Sequence, residues 1–150
     1  MVTLRGEGLA LDVRRGWEAR MWTPDLPPPA INRPVVRLAN FPLPLTKDTY
    51  AEDVADSLQR GQVVASLVEF DPSLADRGLY APQGAPDLQV GDLDPRAVQR
   101  PHPGRAGLQR FFSVNGRAFS LYVIAREGAG MPGALAELAA SLRTLTVEAP

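Results

Sequence analysis

The stretch LQRFFSVNGRAFSLYVIAREGAGMPGALAELAASLR, from Leu108 to Arg143, decides the fold. Asn115-Gly116 lies between two apolar runs, and this pair tolerates the positive φ that both centres of a type I′ hairpin turn require. A two-residue turn fixes the register. Val114 then faces Arg117, Phe112 faces Phe119, Arg110 faces Leu121 and Leu108 faces Val123. One face of the ribbon carries Leu108, Phe112, Phe119, Leu121 and Val123 and belongs to a core. The other carries Phe111, Ala118, Ser120, Tyr122 and Ile124, a mixed surface expected of a central strand pair with layers on both sides. Downstream, Pro132 suits a first helical turn, where its missing N–H had no partner anyway. Leu135, Leu138, Leu142 and Leu145 recur at three- and four-residue steps, with Ala134 and Ala139 beside them. That spacing predicts an amphipathic helix that lays a leucine stripe on a sheet. Arg143 suits its negative end.

Working outward, Leu9, Leu11 and Val13 alternate with polar residues and predict a half-buried strand. Arg14-Arg15-Gly16 reads as a turn, and Trp17 to Trp22 as a second strand closing a hairpin with the first. Trp17 and Trp22 fall on opposite faces of a regular strand. One is expected in the core, the other under a loop or lining a groove. Thr23 to Pro34 holds five prolines in twelve residues and reads as an extended surface loop. Val35 to Ala39 returns as a strand. Thr49 and Glu52 have capping-box spacing, and Val54 and Leu58 follow Tyr50 at helical steps, predicting a helix from Tyr50 to Gln59. Its outer face carries Glu52, Asp53 and Asp56, a solvated surface. Val63 to Phe70 is apolar on both faces and reads as a central strand. Between Asp71 and Gly107 lie 37 residues with six prolines and five glycines. Loops beyond about 15 residues are uncommon in compact domains and are usually functional or mobile. Within it, Leu88 to Val90 is expected to add a short strand and Asp94 to Gln99 a helical turn starting at Pro95.

Five or six mostly antiparallel strands with two helices make an α+β layered fold. At 150 residues the chain suits a single domain, 1–150. A net charge of −1 argues against a nucleic-acid binder. The absence of cysteine excludes disulfides, thiol nucleophiles and cysteine-ligated metal. No apolar run approaches the roughly 20 residues of a membrane helix, and no signal peptide follows Met1, so a cytoplasmic location is expected.

Gly16-Trp17, the apolar strand ending in Glu69-Phe70, the hairpin Phe111-Phe112 to Phe119 and the helix Leu135 to Arg143 together resemble PsbP-like proteins. From about Leu9 to Val147 the chain is similar to their small bacterial members, including the LpqN-type lipoproteins. The resemblance implies an antiparallel sheet with helices on both faces, an α/β/α sandwich. It also implies a largely non-catalytic role: the group includes an extrinsic photosystem subunit, a GTPase-binding import factor and chaperones for secreted effectors. It assigns no site residues here. The chain departs from the lipoprotein pattern in having no lipid-acceptor cysteine.

Gly128-Ala-Gly130-Met-Pro-Gly133 spells G-x-G-x-x-G between a strand and a helix, the local context of a dinucleotide fingerprint. The preceding strand belongs to an antiparallel hairpin, and no parallel strand with an acidic residue follows. A flexible connection into a helix is the better account, although the N–H groups at the helix start could hold an anion. Arg96, Arg100, His102, Arg105 and Arg110 form a basic run with no acid among them. They are candidate contacts for an acidic partner or a phosphate, against the plainer reading of a solvated loop. His102 is the sole histidine. Between two prolines it is expected to be exposed, with no nucleophile or carboxylate at a diagnostic spacing, so neither general-base chemistry nor metal binding is expected. Pro24 to Pro29 contains a PxxP spacing, which a plain linker explains. No cofactor motif is present. The residues point to a non-catalytic interaction or chaperone-like module using one sheet face or the 71–107 loop. The alternative is a small-ligand or anion-binding domain using the 128–133 glycine loop and the 96–110 arginines. An enzyme of unrecognised type comes third.

Overall fold

A computed structural model describes residues 1–45, 51–100 and 102–150. The ribbon forms as its turn dictates: β6 (Arg105–Val114) and β7 (Arg117–Arg126) pair antiparallel with Val114 opposite Arg117, Phe112 opposite Phe119 and Leu108 opposite Val123. Asn115 and Gly116 both take positive φ, 50° and 79°. β5 (Val63–Phe70) pairs with β7 on one side and β4 (Val35–Ala39) on the other, which makes it the middle strand. β3 (Glu18–Trp22) completes a five-stranded antiparallel sheet in the order β3-β4-β5-β7-β6.

Two clusters of buried residues pack against that sheet. Helix α2 (Met131–Arg143) buries Leu135, Leu138 and Leu142 in a cluster with Phe112, Phe119, Leu121 and Val123. On the other face Val64, Tyr122 and Ile124 pack with Val54, Ala55 and Leu58, the residues of α1 (Glu52–Ala55) and the turn after it.

The single sheet expected from the sequence is in fact two. β1 (Val2–Gly6) and β2 (Leu9–Val13) form a hairpin, and β8 (Thr146–Val147) adds to β2, giving a three-stranded antiparallel sheet β1-β2-β8. The expected Leu9–Trp22 hairpin therefore does not form. Both edges of β2 are already taken, and after a turn closed by the Trp17 N–H donating to the Arg14 carbonyl at 3.1 Å the chain crosses to the larger sheet, where β3 pairs with β4. The inward side chains of β2, Leu9, Leu11 and Val13, join the same core as the α2 leucines.

Two local expectations are also corrected. The described helix α1 is shorter than Tyr50–Gln59, with Ala51 at φ 61° before it; Thr49 and Tyr50 lie outside the described residues. Arg105 draws the carbonyls of Ala55, Asp56 and Leu58 to its guanidinium, at 2.8–3.1 Å, so they are bonded away from the helix axis. Asp53 and Asp56 face solvent as expected. Leu88–Val90 forms no strand. Reciprocal bonds between Gln89 and Asp92 close a turn there, with Val90–Asp92 as a 3₁₀ helix. The expected turn at Pro95 forms as a 3₁₀ helix, Pro95–Ala97.

Candidate functional site

The basic run does not gather into one patch. Arg96 extends into solvent from the Pro95 turn and contacts Asp94 at 3.4 Å. Its backbone N–H donates to Asp94 Oδ1 at 2.8 Å, which holds that carboxyl below its usual pKa, so this cap persists until the pH falls through the lowered range. Arg110 lies 3.5 Å from Asp92. Arg100 is exposed. Arg105 donates to four backbone carbonyls, of Ala55, Asp56, Leu58 and Pro103. The structure corrects His102: its side chain is 6% exposed, and Nδ1 lies 2.5 Å from Asp56 Oδ1. His102, Arg105, Glu127 and Met131 line a common cleft of about 410 Å³, which brings the glycine loop close to part of the basic run. Arg96, Arg100 and Arg110 stand outside it. Among the described residues no group of three His, Asp or Glu could hold a metal, and no helix is long and apolar enough to cross a membrane.

The glycine pattern has a packing cause. A Cβ on Gly128 would lie 2.6 Å from the Gly61 backbone nitrogen and 2.9 Å from the Arg60 carbonyl carbon. Gly128 thus lets the start of the α2 connection approach the turn before β5, whose Gly61 N–H donates to the Arg126 carbonyl at 3.0 Å. Gly133, inside the helix, has open space around it. The two substitutions are expected to differ in sign. Gly128→Ala should cost about 1–3 kcal/mol through overpacking, and Gly133→Ala should stabilise by about 0.5–1 kcal/mol. Chemical denaturation of both variants checks this. Equal stability of the two variants would contradict this packing account.

The 71–107 loop is stapled along β6. Gly107 exchanges two backbone hydrogen bonds with Asp94, at 2.8 and 3.0 Å, and Ser113 does the same with Pro82 and Gly84, both at 2.8 Å. The Asp76 N–H donates to Ser113 Oγ, and that hydroxyl donates to the Tyr80 carbonyl. Tyr80 also packs edge-on against Phe111. The loop therefore pairs the outward backbone groups of Gly107 and Ser113, near the two ends of an edge strand.

The other edges differ. β1 and β2 are joined by Glu7 and Gly8 at φ 53° and 76°, another two-residue turn with both φ positive, and Gly6 pairs with Leu9. In such a hairpin the closing pair is hydrogen-bonded and the pairs alternate from there. Val2, Leu4 and Gly6 thus bond to β2, whereas Thr3 and Arg5 turn their backbone N–H and C=O outward. Among the described residues β1 pairs with no strand besides β2, and β3 with none besides β4. Between these two edges runs a groove of about 730 Å³ lined mainly by Leu4, Ala19, Met21, Trp22 and Leu45, with Arg5, Glu7 and Arg20 also bordering it. Gly6 and Met21 approach closely at one end: a Cβ on Gly6 would stand 3.1 Å from the Met21 sulfur.

The tryptophans divide as their parity implied. Trp17 packs on the main core and donates through Nε1 to Glu137 at 3.2 Å. Trp22 lines the groove with the Arg37 guanidinium 5.1 Å from its ring centre, and its Nε1–H is buried without an acceptor among the described residues. Arg20 donates to the carbonyls of Leu43 and Pro44, which keeps its charge occupied within the chain. Sequence reasoning missed this groove because it missed β1, and with β1 the second edge. Comparison of the chain with protein-family models, curated proteins and solved structures finds no match in any of the three.

Proposed function

We propose that this protein is a non-catalytic binding module that takes up an extended segment of a partner protein along β1. One observation carries the reading: the outward backbone groups of Thr3 and Arg5 border an apolar groove, while β6, an edge of the larger sheet, is bonded to the protein's own loop at Gly107 and Ser113. An extended segment added to β1 would gain main-chain hydrogen bonds from the edge and would place alternate side chains in the groove. A groove near 730 Å³ lies in the size range of binding pockets, roughly 300–1,000 Å³. The proposal includes membership of the PsbP-like group, with α2 and α1 as the two outer layers of its sandwich, a chaperone-like adaptor role and a cytoplasmic compartment. In this reading the long loop, first expected to hold the partner, ties down two points of the β6 edge instead.

The alternative anion-binding reading draws on the cleft where His102, Arg105 and Met131 meet. It is the weaker one, because Arg105 already donates to four carbonyls there.

Arg5→Pro tests the proposal. Its N–H points away from β2, so proline removes an edge donor and leaves the β1–β2 bonds in place. On an array of extended nonapeptides with alternating apolar residues, the wild-type protein is expected to bind a subset. Arg5→Pro is expected to lose about tenfold or more in affinity, consistent with the loss of a main-chain hydrogen bond and the clash of the ring with an added strand. An array with no binder, or equal binding by Arg5→Pro, would overturn the reading.

A further inference from the structure

We infer that the segment received beside β1 is an amphipathic strand carrying an acidic residue next to Arg5 and a non-acidic one next to Thr3. This rests on the reading of β1 as the docking edge. Side chains alternate across a strand, so the two faces of β1 dictate the two faces of anything paired with it. Leu4 stands opposite Leu11 on the inner face, where Leu11 is buried in the core. A neighbouring inward residue would enter the apolar groove beside Leu4 and Met21 and must itself be apolar.

Thr3 and Arg5 lie on the outer face with Asp12 and Ala10 as their partners on β2. Arg5 is exposed and makes no ion pair among the described residues. Its cross-strand partner, Ala10, brings no charge, so its guanidinium is available to a side chain added on the open side. Opposite charges directly across two strands attract and like charges repel. An Asp or Glu is therefore selected next to Arg5. The position two residues away sees a different field. Thr3 Oγ1 donates to Asp12 Oδ1 at 2.9 Å, which puts a carboxylate one strand behind Thr3 and disfavours a second acid there. The partner motif is thus an outward acid, an inward apolar residue, and an outward neutral or basic residue. The order along the partner reports its direction: acid first if the segment runs antiparallel to β1, acid last if parallel.

Two nonapeptides of alternating Thr and Val, one with Glu and one with Lys at the central outward position, provide the test. Fluorescence polarisation at low salt measures their affinities for the wild-type protein and for Arg5→Glu, whose exposed position leaves the fold intact. The wild type is expected to prefer the Glu peptide about fivefold, a preference that shrinks as salt screens the pair. Arg5→Glu is expected to reverse it. Equal binding of both peptides by both proteins would overturn the acidic-strand inference while leaving the edge reading standing. Failure of the wild type to bind either peptide would overturn both.

Discussion

Replacing Arg117 with methionine is expected to lower stability by about 3–5 kcal/mol, the cost of leaving a buried charge without its partner. Glu69 is the charge concerned. Its side chain is 0% exposed and that of Arg117 7%. The guanidinium donates from Nε to Glu69 Oε2 at 2.9 Å and from Nη2 to Oε1 at 2.6 Å, a two-pronged contact. The same guanidinium donates to the Glu7 carbonyl at 2.9 Å and to the Glu148 carbonyl at 3.3 Å. One side chain thereby ties the larger sheet to the β1–β2 turn and to the segment after β8. Arg33 makes a longer ion pair with Glu69, 3.7 Å from Nη1 to Oε2, and does not supply those hydrogen bonds. Gly8 belongs to the same junction, since a Cβ there would sit 2.6 Å from Arg117 Nη1. At about 2–4 °C per kcal/mol for a chain of this size, the melting temperature should fall by about 6–20 °C. The double variant Glu69→Leu/Arg117→Met removes both charges and should recover most of the loss, because a well-packed apolar pair can match a buried ion pair. A single-variant loss under about 1 kcal/mol would mean that the carboxylate finds another partner.

Leu138→Ala is the second large effect. Leu138 is 0% exposed and lies mid-way along the α2 stripe, among residues of both sheets. Truncation removes buried methyl groups and leaves a cavity that neighbours on two sheets cannot both collapse into. The expected cost is about 3–5 kcal/mol by denaturant titration. Leu79→Ala gives the comparison: at 67% exposure the same chemical change should stay within about 0.5 kcal/mol. Similar losses at both positions would deny the helix its place at the centre of the packing.

What was legible in the chain was what local chemistry encodes. Asn115-Gly116 names its turn, and every cross-strand pair of β6 and β7 follows from it. The leucine steps name the buried face of α2, and the doubly apolar Val63–Phe70 names the middle strand. β1 was illegible for a physical reason. Its alternation spans only Val2 to Gly6, and its turn places Glu7, a residue with no special tolerance for positive φ, at 53°. The signal that could have found it is the Gly-Glu-Gly run at 6–8 between two alternating segments. The candidate site was less legible still, because its parts meet across the chain. Arg105 and the Ala55 carbonyl are 50 residues apart, and Arg117 and Glu69 are 48 apart. A basic run such as Arg96 to Arg110 looks like one patch in sequence, yet its members are held by different partners. The groove exists because two edge strands from different sheets come together, which no spacing within either strand reports.

Amide hydrogen exchange at β1 tests the central claim most directly. In the free protein, Thr3 and Arg5 are expected to exchange fast, because their N–H groups point outward, while Leu4, bonded to β2, is expected to be protected. Saturation with the Glu-bearing nonapeptide should slow Thr3 and Arg5 by an order of magnitude or more. Binding of that peptide with Thr3 and Arg5 exchange unchanged would contradict strand addition at β1.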